Sequence, residues 1–238
     1  MTTKTAVYTY EVIQPGDDVL IDKTTECLID TFLGVQIGDL WVQEPIIGYA
    51  LKLPRQEFYT FTKTYIEDHV AQGYCVVALD EERNVVGTFV GDHNAFVIGA
   101  FPTFTGAFAN MNTVVDVLED IDERFLIDYA LRQGKPMQDG DVVHIFLIGV
   151  SAPTNRHEVI QQLGALLEQQ ARRNGVRMLL AEATNPKSIR VLQKYHGFEK
   201  YITVDGEPIV YPYNRHEQLA VIPESTADGI YIVTKSLT

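Results

Sequence analysis

The 238-residue sequence is poor in several features that would narrow its function quickly. It has two cysteines, Cys27 and Cys75, without metal-ligand spacing or the framework of a disulfide-stapled domain, so both are expected reduced, small and buried. Its 19 lysines and arginines face 32 aspartates and glutamates, a formal net charge of −13. That balance argues against nucleic acid as a partner, because such binders present a basic stripe. It favours cationic ligands by long-range attraction, and it serves solubility equally well. The longest apolar runs, such as residues 142–150, are far shorter than a bilayer span, and the first residues lack an apolar signal core after a basic start. No membrane association is expected, and the cytoplasm is the expected location. The sequence shows no ligand cluster for a metal, no serine-histidine-aspartate order and no nucleotide-type glycine loop, which leaves hydrolase and kinase readings without support.

What is present is ordinary for a globular chain: 46% hydrophobic and 21% charged residues. One domain spanning residues 1–238 is expected, with a single sizeable core. Residues 5–14 read as a strand, and the turn at 15–18 delivers a helix over about 19–34. Residues 34–54 mix glycine, proline and large apolar side chains without one period, and are expected irregular or as a short helix. A second helix starts at Pro54, carries Phe58, Phe61, Tyr65 and Val70 at near-helical spacing, and stops at Gly73. Residues 74–93 read as a hairpin. An aromatic, glycine-containing stretch at 95–110 precedes a helix over 114–134, and 141–150 is a buried strand. A helix with Val159, Leu163, Leu166 and Leu167 on one face follows, then a strand at 176–184 and a short helix from Pro186 to Gly197. Strands at 199–204 and 229–237 close the chain.

The strand ending at Val150, the polar turn at 155–158 and the helix after it form an arrangement suited to an anion, through free N–H groups and the positive end of the helix dipole. Loops that do this usually carry glycines, and this one has none. The element order, together with "NPKSIRVLQKYHGF" at 185–198 (an N-x-x-S…G-F pattern), resembles the GNAT superfamily of acyl-CoA-dependent N-acyltransferases over almost the whole chain. The resemblance implies an α/β fold with a mixed, twisted central sheet and helices on both faces, and acetyl-CoA as acyl donor. In the family the fourth strand ends in V-x-P-x-x-[QR]-x-x-G-x-[GA]. Counted from Val150 and from Gly175, the [QR] position falls on Asn155 and the two small positions on Glu158 and Ile160. The missing glycines cost close approach to a pyrophosphate, and Glu158 adds a like charge; Arg156 and His157 offset some of it. The resemblance assigns CoA contacts to the backbone at Ile148, Gly149 and Val150, to the turn and first helical residues Asn155, Arg156, His157, Glu158, Val159 and Ile160, and to Asn185 and Ser188. A bulge, a close backbone approach or simple packing each accounts for Gly149, and caps account for Asn185 and Gly197.

The segment "WVQEPIIGYALKLP" at 41–54 resembles the E-P-L-like segment of the arylalkylamine-type N-acetyltransferases, which include dopamine acetyltransferases. The resemblance implies that Glu44 is the general base. Amine acylation needs a neutral amine, and a glutamate beside Trp41, Val42, Ile46 and Ile47 is expected to have a raised pKa. A favourable glutamate at a helix start is the alternative. The family's tyrosine acid falls on Gln193 or Leu192, neither of which has a phenol. Tyr195 is the nearest tyrosine, and Ser188 matches a serine of that branch; core or cap contacts are their alternatives. The aromatic residues from Phe96 to Phe108 and Trp41 either line an amine pocket or pack in the core. The implied function is acetyl transfer from acetyl-CoA to the primary amine of a small molecule, by direct attack in a ternary complex. A GNAT-fold protein that has lost catalysis and only binds is the alternative, and the turn at 155–160 separates the two.

Overall fold

The structure is a computed structural model that describes residues 7–37, 39–93, 101–151 and 155–238. After strand β1 (Thr9–Val12), the carboxylate of Asp17 accepts the Leu20 N–H and opens helix α1 (Asp18–Leu33). The helix ends at Gly34, where φ is 138° and the Trp41 indole lies so close that a Cβ would come within 2.2 Å of it. Only glycine fits both the dihedral and the ring. The segment expected irregular or as a short helix contains a small hairpin, β2 (Val35–Ile37) with β3 (Leu40–Val42), followed by a π-helical turn at Pro45–Ala50. Helix α2 (Arg55–His69), strands β4 (Cys75–Leu79) and β5 (Val85–Asp92), and helix α3 (Met111–Gln133) follow. Strand β6 (Val142–Val150), helix α4 (Arg156–Arg173), strand β7 (Met178–Ala183) and helix α5 (Pro186–His196) come next. The strand expected at 199–204 shrinks to β8 (Glu199–Lys200), and β9 (Val210–Pro212), which the sequence did not suggest, precedes β10 (Gly229–Ser236).

The main sheet runs β1-β4-β5-β6-β7-β10-β8, with β9 also paired to β10. Every pairing in it is antiparallel except that of β6 with β7. Alternation along β4 explains why helices cover both faces. Val77 and Leu79 pack with Leu20, Leu28 and Ile66 of α1 and α2, whereas Val76 and Ala78 pack with Val159, Leu163 and Leu167 of α4. A third cluster, with Ile46, Phe58, Phe125 and Ile230, fills the space under the π-turn, α2 and α3. Both cysteine sulfurs are buried and unlinked, and burial pushes the Cys27 thiol up to about 11 and that of Cys75 up to about 12.

Two departures from regular pairing shape the centre of the sheet. The β5–β6 register slips between Val90 and Gly91, which face Leu147 and Ile145, so Phe146 is an extra residue on β6. The β6–β7 pairing covers only Val142–His144 against Met178–Leu180. Beyond it, Ile145–Val150 has no strand partner on that side among the described residues. Gly149, one candidate for a bulge, sits in regular register with Thr88 instead. Its reason is close packing: a Cβ there would come within 2.5 Å of Thr31 Oγ1 on α1. No helix among the described residues is long and apolar enough to cross a membrane.

Candidate active site

Glu44 is held by backbone before its side chain does anything. Its N–H donates to the Phe32 carbonyl at 3.0 Å, its carbonyl accepts from Gly48 and Tyr49, and Pro45 opens the π-turn that it caps. Gly48 is required here, because a Cβ would come within 2.4 Å of the Phe32 carbonyl oxygen. The carboxylate folds back onto that turn, with Oε2 accepting the Ile47 N–H at 2.5 Å. Oε1 is buried without a hydrogen-bond partner of good geometry. Burial pushes the Glu44 carboxyl up to about 7, against the opposing pull of Ile47, Thr184 and Ile46. The apolar surround expected from the sequence is there in Ile46 and Ile47, both buried, while Trp41 is 60% exposed.

Glu44 faces a small cavity of about 60 Å³, with Glu182 and Thr184 on the far side of the β6–β7 opening. Phe61, Leu118 and Phe146 wall both this cavity and a larger one of about 790 Å³ between α2 and α3. Phe101, Phe104 and Phe108 line the larger cavity, so the described part of the aromatic stretch contributes a wall; Phe96 lies outside the described residues. Trp41 does not line either cavity.

At the floor lies a group of ionisable side chains that the sequence reading did not single out. His144 Nε2 is 2.5 Å from Glu182 Oε2, and its Nδ1 is 3.5 Å from Asp92 Oδ2. Burial alone would lower the His144 pKa, but the flanking Glu182 and Asp92 hold it well above the ordinary value. Asp92 is also buried, yet its contact with His144 keeps its carboxyl low, and the Tyr65 hydroxyl donates to it. Asp122 of α3 behaves oppositely: burial, and then the neighbouring Glu182, raise its carboxyl well above the usual range. Opposite charges side by side, with the neutral form of Asp122 favoured beside them, reduce the cost of burying such a set.

The residues assigned to the CoA side fall into three groups. Ile148, Gly149 and Val150 lie on the splayed part of β6. Asn155 stands ahead of α4 with φ 54° and ψ 29°, a left-handed conformation asparagine tolerates, and its side chain does not cap the helix. His157 and Glu158 are exposed, whereas Val159 and Ile160 point into the core, so only their backbone faces an anion. The Arg156 guanidinium is half-buried and donates to the Val150 carbonyl, strapping the helix to the end of β6. Asn185 and Ser188 form the third group, with Asn185 Oδ1 accepting the Lys187 and Ser188 N–H groups, each at 3.0 Å, and Ser188 Oγ donating to the Asn185 carbonyl at 2.9 Å. The Tyr195 hydroxyl pairs with His157 Nδ1 at 2.9 Å, and Tyr195 lines neither cavity. The structure therefore joins Glu44 to the splayed strands and the smaller cavity, and joins Tyr195 to the start of α4. No group of residues that would hold a metal ion occurs among the described residues.

By overall structure the chain is similar to a polyamine N-acetyltransferase of Drosophila melanogaster that forms N-acetylagmatine, with TM-score 0.68 and 15% identity over 97% of this chain and 100% of the other. It is similar to arylalkylamine N-acetyltransferase 2 of Aedes aegypti, with TM-score 0.65 and 16% identity over 97% of this chain and 99% of the other. It is also similar to the C-terminal condensation domain of Ebony, solved with β-alanyl-dopamine, with TM-score 0.65 and 12% identity over 98% of this chain and 100% of that domain. No protein-family model matches the chain. No curated protein matches it by sequence. At these identities the likeness is one of fold: the chain has the mixed α/β fold of the GNAT acetyltransferases.

Proposed function

We propose that this GNAT-fold chain is an acyl-CoA-dependent N-acetyltransferase that acts on the primary amine of a small molecule by direct attack in a ternary complex. The observation that carries the reading is Glu44: a buried carboxyl with one oxygen lacking a partner of good geometry and a pKa of about 7, lining the cavity beside the splayed strands. A base poised near neutral pH suits removal of a proton from an ammonium. The acyl donor would supply an activated thioester.

The residues present fit that donor at two points. Backbone groups on the side of Ile148–Val150 that β7 leaves unpaired, the Val150 carbonyl excepted because Arg156 occupies it, would hold the pantetheine chain and the thioester oxygen as charge develops on it. The N-terminus of the 18-residue helix α4, which the Asn155 side chain does not cap, would offer N–H groups and a positive dipole end to a pyrophosphate. Ile160 turns inward, so its side chain does not occupy the anion's space. Glu158 is the remaining cost. The larger cavity supplies an aromatic approach for the amine, whose nitrogen reaches Glu44 past Phe61 and Phe146. Asn185 would orient the pantetheine chain through its side-chain N–H groups, since its Oδ1 is committed to the cap.

The test is a calorimetric titration with acetyl-CoA followed by thiol-release assays on a panel of primary amines. Saturable acetyl-CoA binding and amine-dependent thiol release are expected. A protein that binds acetyl-CoA but releases no thiol with any amine has only the binding role; one that does not bind it removes the reading.

A further inference from the structure

Tyr213 begins the short 3₁₀ turn Tyr213–Arg215 after β9, is 2% exposed, and belongs to the core cluster of Ile46, Ile47, Phe58 and Ile230. A phenol so deep in an apolar cluster needs a partner. Its hydroxyl donates to the carbonyl of Thr184. Thr184 lies one residue beyond β7, where Ala183 makes the last pairing with β10 and β6 has already splayed away. It is outside both ladders, so the phenol supplies a donor where the sheet does not. Burial pushes the Tyr213 hydroxyl far above its ordinary pKa, and the charges of Glu44 and then Asp228 push the same way.

Thr184 lines the small cavity with Glu44. Its hydroxyl lies close enough to the Glu44 carboxylate to favour the ionised form, and Asn185 Nδ2 donates to the same hydroxyl oxygen at 3.4 Å, which leaves the hydroxyl proton for Glu44. Glu182 is the other titratable group on this cavity; its walls from α1, α2, α3, β6 and β10 are apolar, with Phe32, Phe58, Leu118, Phe146 and Ile230. The chain after Tyr213 also reaches the turn that carries Glu44. Thr113 Oγ1 donates to Gln218 Oε1, Gln218 Nε2 donates to Asn110 Oδ1 at 3.2 Å, and Asn110 Nδ2 donates to the Leu51 carbonyl at 3.3 Å. Leu51 closes the π-turn that Glu44 opens. Residues 213–218 are thus linked to the end of β7 on one side and to the turn of Glu44 on the other.

We infer that Tyr213 is a positioning residue for the proposed acetyl transfer: its hydroxyl fixes the end of β7 and so holds the Thr184 hydroxyl against the Glu44 carboxylate. The part in catalysis rests on the acetyltransferase reading. The link from Tyr213 through Thr184 to Glu44 does not, because it is a property of the chain alone.

The experiment follows the Glu44 carboxyl by carboxyl-carbon NMR of glutamate-labelled full chain, with Glu44→Gln identifying the signal, alongside the pH profile of kcat. The wild-type midpoint is expected at about 7. Tyr213→Phe removes the donor and keeps the ring; Thr184→Val removes the hydroxyl and keeps the carbonyl. Each is expected to move the Glu44 midpoint and the rise of kcat above 7, because a group that favours the carboxylate is displaced or lost. At pH 7 kcat is expected to fall about tenfold, through misplacement of the base as well as its protonation, with KM for acetyl-CoA within about twofold. The double variant is expected to match Thr184→Val, since Tyr213 acts through Thr184. A Glu44 midpoint unmoved in Tyr213→Phe, with only Tm lowered, overturns the inference. So does a further movement in the double variant as large as that of Tyr213→Phe alone. Should Tyr213→Phe not fold, Thr184→Val decides: a raised midpoint supports the link and an unmoved one breaks it. If no amine is acetylated while the midpoint moves in both single variants, the acetyltransferase reading falls and the link stands. If amines are acetylated and neither variant moves it, the reading stands and the link falls.

Discussion

Glu44 accepts the Ile47 N–H through one carboxylate oxygen at 2.5 Å, and keeps the other buried with no partner of good geometry. The same side chain thus caps the turn that positions it and, in the proposed reaction, would serve as the base. Its carboxyl sits at about 7 in the folded chain against an ordinary value of 4.5. The folded state therefore binds more protons than the unfolded state between those values. The stability that this proton brings is fully present below pH 4.5 and is lost as pH rises through about 7. The loss should reach about 3 kcal/mol at most. Denaturation at pH 5 and pH 8 should show it in the wild type, and Glu44→Gln, which keeps an acceptor for Ile47, should be nearly flat.

In the proposed reaction the same residue would govern rate. With a good amine, kcat is expected to rise through about pH 7 in the wild type and to fall by about 10² or more in Glu44→Gln. Affinity for CoA should stay nearly intact, and raising the pH should restore part of the lost rate, since more of the amine is then already neutral. A variant with full activity at pH 7 removes Glu44 from the chemistry.

At the other end of the site, Arg156 and Glu158 should separate structure from binding. Arg156 straps α4 to the Val150 carbonyl, so Arg156→Ala should cost about 1.5–3 kcal/mol of stability. Glu158 is exposed in the first turn of α4, where a carboxylate stabilises the helix but repels a second anion. Glu158→Gln is expected to tighten CoA severalfold and to lower stability by about 0.3–1 kcal/mol. Unchanged CoA affinity, measured by titration, would mean that the pyrophosphate does not lie at this turn.

These residues also show which parts of the molecule were legible in the sequence. Helix α4 and strand β6 were readable because Val159, Leu163 and Leu167 repeat on one face and residues 142–150 form one apolar run. Glu44 came from a resemblance in a segment whose local structure, a hairpin and a π-turn, follows no simple period. The buried set around His144 was missed because its members sit on separate elements and meet only across the sheet. Asp92 faces His144 through the β5–β6 register, and Glu182 lies 38 residues further along the chain. One signal was available: His144 and Glu182 each interrupt an otherwise apolar strand, and buried polar residues need partners. The hairpin at 35–42 was missed because each of its strands has three residues, too few to show alternation.

In the proposed reaction the leaving thiolate would need a proton, and Tyr195 and Ser188 are the two candidates from sequence. Tyr195 lines neither cavity and pairs with His157, while Ser188 Oγ already donates to the Asn185 carbonyl. Tyr195→Phe is expected to leave kcat within about twofold and to loosen only the link between α5 and α4. Asn185→Ala removes the α5 cap and should cost about 1 kcal/mol. Ser188→Ala keeps that cap, because Asn185 uses the Ser188 N–H. A kcat loss in Ser188→Ala without a stability loss would make Ser188 the proton donor; a tenfold kcat loss in Tyr195→Phe would return the role to Tyr195.

Gly149 ties the splayed strand to the helix above it. A Cβ at this position would come within 2.5 Å of Thr31 Oγ1 and 3.1 Å of Leu28 Cδ2, so α1 lies directly on the β6 backbone. Gly149→Ala forces either the helix or the strand to move, and overpacking of this kind costs about 1–3 kcal/mol. Because Ile148–Val150 is the segment proposed to hold the thioester, the strain should appear in function as well as in stability. Thr31→Ala removes the nearest obstructing atom at the expense of its bonds to the Cys27 and Leu28 carbonyls. In a double-mutant cycle, Thr31→Ala should recover most of the Gly149→Ala loss, with a coupling of about 1 kcal/mol or more. Acetyl-CoA affinity should fall in the single Gly149 variant and return in the double. Additive losses would mean that α1 does not set the position of β6, and that the opening beside β7 is fixed by β5 alone.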